Sequence, residues 1–324
     1  MDQHQPLVSI VTPVYNGEAY LAECIDSVLA QTYANWEYII VNNCSTDNTL
    51  NIAEKYCDLD PRIRVFNTDK LLSAIENHNF SVGKIAPESD YCKILQADDW
   101  LFPACLTQMI DIAMTDDSIG VVGAYSLTGR KGTRVSGAGL PYPSTVMSGQ
   151  EISRLTLLGK TYPFYSPSTT LIRSDLVRNR DPFYQPPKLH ADVETMYEFL
   201  QQCSFGFVHQ VLTYVREHNN SETSKAAKPL NTMMWSNLDL FVRYGPAVLS
   251  ELEFKLRLRQ LLGKYYTFLA DSFWEQRSSD FWKYHKNGLK TLGYPLNHLR
   301  LAGAVLGSVF TRPKATGKKI LKKT

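Results

Sequence analysis

The chain has 324 residues, 44% hydrophobic and 20% charged, enough for one large domain with an appendage or for two domains. A formal charge of +2, with no run of arginines interleaved with aromatics, makes no electrostatic case for a nucleic-acid partner. Cys24, Cys44, Cys57, Cys92, Cys105 and Cys203 form neither CxxC pairs nor zinc-type Cys/His spacings; reduced core thiols in a cytoplasmic protein are expected. Met1 to Pro6 is polar, so no signal peptide is expected, and no apolar run approaches the roughly 20 residues of a spanning helix.

Leu7 to Val14 has a buried-strand pattern. Tyr15-Asn-Gly17 breaks it and caps a helix, opened by Glu18, whose Leu21, Ile25, Val28 and Leu29 share one face. Trp36 to Val41 reads as a second strand, closed by Asn42-Asn-Cys-Ser-Thr-Asp47, where Ser45 or Thr46 is placed to cap the helix carrying Leu50, Ala53 and Tyr56. Ile63 to Phe66 is a third strand, Leu72 to Val82 a third helix, and Tyr91 to Leu95 a fourth strand that stops at Asp98 and Asp99. This alternation predicts an α/β fold with a mostly parallel sheet flanked by helices and its loops gathered at one ligand edge. Pro103 suits the first turn of a helix to Met114, so the two carboxylates fall in a strand-to-helix loop. Adjacent carboxylates repel unless a cation lies beside them, and hard oxygen ligands suit Mg²⁺ or Mn²⁺ holding a diphosphate. A solvated turn with a capping Asp explains the same pair.

Four stretches taken together resemble the successive motifs of family 2 glycosyltransferases with the GT-A fold. They are Val8-Ser-Ile-Val-Thr-Pro-Val-Tyr-Asn-Gly17, Ser27-Val-Leu-Ala-Gln-Thr-Tyr33, Val41-Asn-Asn-Cys-Ser-Thr-Asp-Asn-Thr49 and Leu95-Gln-Ala-Asp-Asp-Trp100. The resemblance covers residues 7 to about 224. It implies an inverting transferase that takes a sugar from a nucleotide-diphospho-sugar held through Mn²⁺ or Mg²⁺. By the same likeness Thr12, Pro13, Tyr15 and Asn16 lie against the nucleotide, Asn42 stands where the family has a base-reading Asp, and Asp98 and Asp99 contact ribose and metal, with Asp99 the direct ligand. The family's Arg-Asn pair in the third helix is here His78-Asn79, and the Asp two residues before the Asp pair is Gln96. Trp100 either floors the sugar site or fills the core. Asn43 and Asp47 are equally well explained by turn chemistry.

A strand near Ile119 to Tyr125 follows, then a Gly- and Pro-rich passage from Thr128 to Pro143 bearing Arg130, Lys131 and Arg134. Tyr165-Ser-Pro-Ser-Thr-Thr-Leu-Ile-Arg173 resembles the family's acceptor-side strand. In His190-Ala-Asp-Val-Glu194 the Asp192 matches the Asp of the family's Glu-Asp, which makes it the implied general base, with Glu194 its competitor. Val211 to Ser221 resembles the closing strand, and His218 completes the metal site, touches the diphosphate or orders its loop. Met233 to Tyr244, Ala247 to Phe273, Phe281 to Leu292 and Leu299 to Phe310 read as helices. The division expected is a catalytic domain over 1–224 and a helical extension over 225–324. The basic end, Arg312 to Thr324, suits an anionic membrane surface at the inner face of the membrane, and a solvated tail explains it equally.

The implied acceptor is a surface glycan or its lipid carrier. Two rivals remain: a non-catalytic sugar-nucleotide-binding or scaffold protein, suggested by the departures at Asn42, His78, Gln96 and Ala191, and a nucleotidyltransferase. Against the latter, a Gly-rich, Lys-bearing phosphate loop after the first strand is missing, since Gly17 stands alone.

Overall fold

Four strands alternate with three helices through the first part of the chain: β1 (Val8–Val14), α1 (Leu21–Leu29), β2 (Trp36–Asn42), α2 (Thr49–Leu59), β3 (Ile63–Asn67), α3 (Ala74–Val82) and β4 (Tyr91–Ile94). The computed structural model describes residues 5–129, 134–186, 190–217, 228–275 and 277–311. β1 is buried at every position and lies parallel between β2 and β4, as a strand covered on both faces must. β3 extends the sheet in parallel beyond β2.

The chain then builds β5 (Trp100–Leu101), α4 (Cys105–Ala113), β6 (Ile119–Gly129), β7 (Arg134–Ser136), β8 (Val146–Ser148), α5 (Gly149–Leu157), β9 (Thr170–Arg173), α6 (Ser174–Arg178), α7 (Ala191–Phe199) and β10 (Ser204–Arg216). The sheet order is β3-β2-β1-β4-β9-β6-β10-β5, with β7 on β6 and β8 on β10. Its four longest ladders are parallel, so the expected sheet is present; five antiparallel ladders of two or three residue pairs join the later strands. The register of β10 shifts between Val208 and Thr213, and the bulge bends the strand so that its end at Arg216 returns to the loop after β4.

Local details differ from the sequence reading. Glu18 does not open α1: the Gly17 carbonyl accepts the N–H of both Tyr20 and Leu21, making a turn ahead of the helix. Ser45 and Thr46 do not cap α2, whose N-cap is Asn48 without a side-chain capping bond, because both are engaged with Asn16 on the neighbouring loop. All six cysteines are free thiols, as expected, four of them buried.

The chain divides into two compact units, Met1–Lys225 and Ala226–Thr324. The second contains α8 (Lys228–Leu230), α9 (Thr232–Val248), α10 (Glu251–Trp274), α11 (Ser279–Thr291) and α12 (His298–Thr311). Leu238, Tyr265, Leu269, Phe281 and Leu289 form its core. Within it, the neutral imidazole of His285 donates from Nε2 to the Leu230 carbonyl (2.7 Å) and accepts the Tyr265 hydroxyl at Nδ1 (2.5 Å). The expected break at Gly245-Pro246 lies four residues later, at Leu249-Ser250, since a proline near a helix end forfeits a single ladder bond. The stop is set instead by Ser250, which caps α10 in a capping box with Glu253.

Candidate active site

The loops after β1 and β2 are woven together. Asn16 adopts the left-handed conformation at φ 51°, which its short amide tolerates, and Gly17 is required because a Cβ there would lie 2.5 Å from the Val14 side chain. The Asn16 N–H donates to Ser45 Oγ (3.0 Å), its Oδ1 accepts the Thr46 N–H (2.8 Å), and the Gly17 N–H donates to Thr49 Oγ1 (2.8 Å). Asp47 accepts the Glu18 N–H (3.1 Å), and Glu18 accepts the Asn48 N–H (3.0 Å). Asp47 also accepts the N–H and hydroxyl of Thr49, so its role combines turn chemistry with a brace between loops.

Of the side chains expected at the nucleotide, Thr12 is turned inward, fully buried, with Oγ1 bonded to the Leu95 carbonyl (2.8 Å) and the Tyr38 hydroxyl (2.9 Å). A side chain so enclosed presents nothing to a ligand, and Pro13 is likewise buried; Tyr15 and Asn16 are the exposed members of the set. Asn42 is buried with its amide engaged on both sides, donating to Asn67 Oδ1 (2.8 Å) and accepting the Ser45 N–H (3.2 Å). Asn43 donates to the Leu72 carbonyl and accepts from Thr68 Oγ1 and the Leu72 N–H, fastening the β2 loop to the segment before α3.

The Asp pair lies in a turn closed by the Asp99 N–H on the Gln96 carbonyl (3.0 Å). Asp98 is half-buried, whereas Asp99 is 2% exposed. Ser168 Oγ donates to Asp99 Oδ2 (2.6 Å) and the Arg216 N–H donates to Oδ1 (2.9 Å). Burial, and then the neighbouring Asp98, push the Asp99 carboxyl up to about 8 despite these two donors. Arg216 also donates to the Asp98 carbonyl (3.0 Å) and to Glu23 (2.5 Å), its guanidinium lying 4.6 Å from the centre of the Tyr20 ring.

Ser168 is itself held by a buried lysine. Lys93 is fully enclosed, with Nζ donating to the carbonyls of Ser168 (2.6 Å) and Thr170 (3.1 Å), while Thr213 Oγ1 also donates to the Ser168 carbonyl (3.1 Å). The Ser168 hydroxyl accepts the Gln96 N–H (3.0 Å) as it donates to Asp99. Burial holds the Lys93 ammonium below its ordinary pKa. The β4–β9 ladder ends at Cys92, and beyond it the lysine replaces ladder bonds for the turn at Pro167–Thr169. Neither Lys93 nor Ser168 was singled out in the sequence, although a lone lysine in an apolar strand is a legible signal.

Among the described residues, no group of three or more His, Cys, Asp and Glu side chains converges as a metal site. Mg²⁺ and Mn²⁺ need no such cage where substrate phosphates complete the shell, one or two carboxylates sufficing. Each Asp99 oxygen accepts one bond and retains another lone pair, and a buried carboxyl raised by a like charge is relieved by a cation. The pair therefore fits a divalent ion shared with a diphosphate. His218 lies outside the described residues.

On the other side of Gln96, the Gln96 amide donates to His78 Nε2 (2.9 Å) and His78 Nδ1 donates to the Ala74 carbonyl (2.7 Å). The two positions that depart from the resemblance, His78 and Gln96, are thus bonded to each other as a neutral pair. Burial keeps the imidazole below its ordinary pKa. Asn79 holds both backbone groups of Tyr184, donating to its carbonyl (2.9 Å) and accepting its N–H (2.7 Å), so its amide acts here on protein backbone.

Asp192 lies in the first turn of α7, half-buried, and lines a small cavity with Tyr184, Ser166 and Phe164 that has room for about one water, near 10 Å³. Burial raises its pKa, with the Val193 N–H first and then His190 and His78 opposing the rise. Glu194, its competitor, is buried inside α7. Trp100 is half-buried at the loop, stacked on Tyr214 at 5.2 Å between centroids and 13° between planes.

The chain matches the family model described as "Glycosyl transferase family 2" over residues 9–180. An uncharacterized glycosyltransferase of Rickettsia typhi is 31% identical, the match covering 72% of this chain and 71% of that one. A putative teichuronic acid biosynthesis glycosyltransferase of Bacillus subtilis, TuaG, is 32% identical over 41% of this chain and 52% of its own. Among solved structures, S. aureus TarS 1–349 in complex with UDP-GlcNAc superposes with a TM-score of 0.66 at 18% identity, over 94% of this chain and 88% of that one. The mannosyltransferase PcManGT of Pyrobaculum calidifontis, in complex with GDP-Man and Mn²⁺, gives 0.56 at 13% identity, over 96% and 82%. At such identities the structural likeness shows the fold, and the family model and the rickettsial relative show the family. This chain belongs to glycosyl transferase family 2 and has the GT-A fold.

Proposed function

We propose that the protein is an inverting, metal-dependent glycosyltransferase that moves a sugar from a nucleotide-diphospho-sugar, of the UDP class, to a hydroxyl of a surface glycan or lipid-linked acceptor at the cytoplasmic face of the membrane. The observation that carries the reading is Asp99, a buried carboxyl beside a second carboxyl at the ligand edge of the sheet, an arrangement that a cation relieves. The UDP-GlcNAc complex of TarS, the GDP-Man and Mn²⁺ complex of PcManGT and the polysaccharide role in the name of TuaG support it. In this reading Asp98 and Asp99 face the ribose and the metal, and Tyr15 and Asn16 border the nucleotide. Asn42 and Asn79 act on the donor by fixing the loops around it. His218 is assigned to the metal side by the family likeness alone. A bound Mn²⁺ or Mg²⁺ would neutralise charge on the departing diphosphate.

Inversion needs one displacement, with the acceptor hydroxyl deprotonated on the face opposite the leaving group. Asp192 is the proposed base. It is half-buried where Glu194 is enclosed, and burial raises its proton affinity, which suits a group that must accept a proton. The catalytic domain corresponds to residues 1–224 and the helical extension to 225–324.

A panel of nucleotide-sugars scanned by thermal shift with and without Mn²⁺ tests the donor reading, since a specific donor stabilises in proportion to its occupancy. One donor should stabilise in a Mn²⁺-dependent way, and its turnover should release a sugar of opposite anomeric configuration. Stabilisation by none, or product of retained configuration, overturns the proposal. A non-catalytic binding protein would show the shift without turnover.

A further inference from the structure

The two units carry opposite charge. Residues 226–324 hold 17 Lys and Arg against 6 Asp and Glu, a formal +11; residues 1–225 hold 17 against 26, a formal −9. A near-neutral total therefore hides a strongly basic helical unit.

Within that unit α12 has two unlike sides. One packs inward: Leu301 joins the core cluster, the Arg300 guanidinium lies 4.5 Å from the centre of the Tyr266 ring, and Trp274 Nε1 donates to Ser308 Oγ (3.0 Å). The other presents Leu299, Ala302, Gly303, Leu306 and Gly307 to solvent, with Leu299 86% and Leu306 66% exposed. Among the described residues His298 and Arg300 are exposed at the edges of that strip, and no charged side chain lies between its members. On α11, by contrast, Lys283, Lys286, Asn287 and Lys290 are exposed, as a water-facing helix requires. Phe273 (52%) and Trp274 (42%) extend the exposed apolar surface at the end of α10, where Trp274 is bonded to α12. An uncovered strip of this kind marks an interaction surface.

Its occupant is indicated by charge and by length. The thirteen residues after α12, 312–324, include six Lys and Arg and no acidic residue. Lysines attract anionic headgroups while an apolar face enters the acyl boundary, and tryptophan favours that boundary. α12 has 14 residues, too short for the roughly 20 that span a bilayer, and among the described residues no helix is long and apolar enough to cross one.

We propose that the exposed apolar side of α12, flanked by Phe273 and Trp274 and followed by the basic segment, docks in the plane of an anionic lipid surface. This deepens the reading of a membrane-side acceptor by naming the face that meets the lipid, and it uses no residue of the donor site.

The test is co-sedimentation of the full chain with phosphatidylglycerol-containing vesicles and with pure phosphatidylcholine vesicles, beside Leu299→Gln/Leu306→Gln. Wild type should bind the anionic vesicles selectively, less at high salt, and the double variant should bind on the order of tenfold more weakly, having lost two leucines from the boundary. Equal vesicle binding by the two proteins, equal binding to both lipids, or none at all overturns the proposal. So does a concentration-dependent dimer that the double variant abolishes, because a second copy would then cover the face. Donor-induced thermal shifts measured on both proteins keep the readings apart: lipid docking with no donor response would sink the transferase reading and leave this one standing.

Discussion

Asp99 and Asp192 are both carboxyls whose pKa is raised chiefly by burial, yet their neighbours divide them. Asp99 has a like charge beside it and two fixed donors, Ser168 Oγ and the Arg216 N–H, that aim its oxygens. Asp192 has the Val193 N–H and two imidazoles opposing the rise, no like charge among the described groups that act on it, and partial access to solvent. A carboxyl pressed against another carboxyl is relieved by a cation, whereas one lifted by burial near titratable imidazoles is suited to take a proton. In the proposed mechanism one residue type would serve two tasks because the fold sets different surroundings.

The largest expected effect breaks the proton side alone. Asp192→Asn should lower transfer by ~10²–10⁴ while donor affinity persists, the ordinary size of general-base assistance. Near-normal turnover would remove Asp192, and loss confined to Glu194→Gln would move the base there. With Mn²⁺ saturating, so that Asp99 is held ionised, wild-type transfer should fall as pH drops through a value above the usual carboxylate range, and the Asn variant should lack that acid limb. A folded-state pKa above the unfolded one means that ionised Asp192 costs stability at neutral pH, so the variant should melt no lower than wild type.

Asp99→Asn breaks the cation side. Mn²⁺-supported donor binding, followed by calorimetry, should weaken by more than the ~10–100-fold typical of losing a supporting partner. Unchanged affinity and unchanged Mn²⁺ dependence would refute the metal role.

Ser168→Ala should sharpen the distinction by leaving both carboxyls in place and loosening only Asp99. The Mn²⁺ concentration for half-maximal donor binding should rise ~10-fold or more, with the pH profile of transfer unmoved. A shift in the profile without a shift in Mn²⁺ demand would argue against separate roles.

Lys93→Met should produce the smallest change, since the Ser168 carbonyl retains Thr213 Oγ1. Roughly a threefold rise in Mn²⁺ demand is expected, below the range for a direct partner of the carboxylate. Rescue by Lys93→Arg would locate the effect in the donated hydrogen bonds rather than in packing.

The sequence by itself determined the parallel half of the sheet, because β1, β2 and β4 are nearly continuous apolar runs closed by turn residues, and that pattern has few other folded outcomes. It also placed Asp98 and Asp99 in a strand-to-helix loop by local order, with Asp192 at a helix start by family likeness, and marked the cysteines as reduced thiols, four of which are buried. Tertiary structure decided what lies far apart in the chain. Ser168 and Arg216 meet Asp99 across 69 and 117 residues, and Tyr184 meets Asn79 across 105. Such contacts leave no periodicity to read. The short strands β5, β7 and β8 were equally illegible, because strands of two or three residues exist only through their partners on β6 and β10. Thr12 is enclosed because β1 is covered on both faces, and the Leu95 carbonyl and Tyr38 hydroxyl supply the partners its hydroxyl needs there.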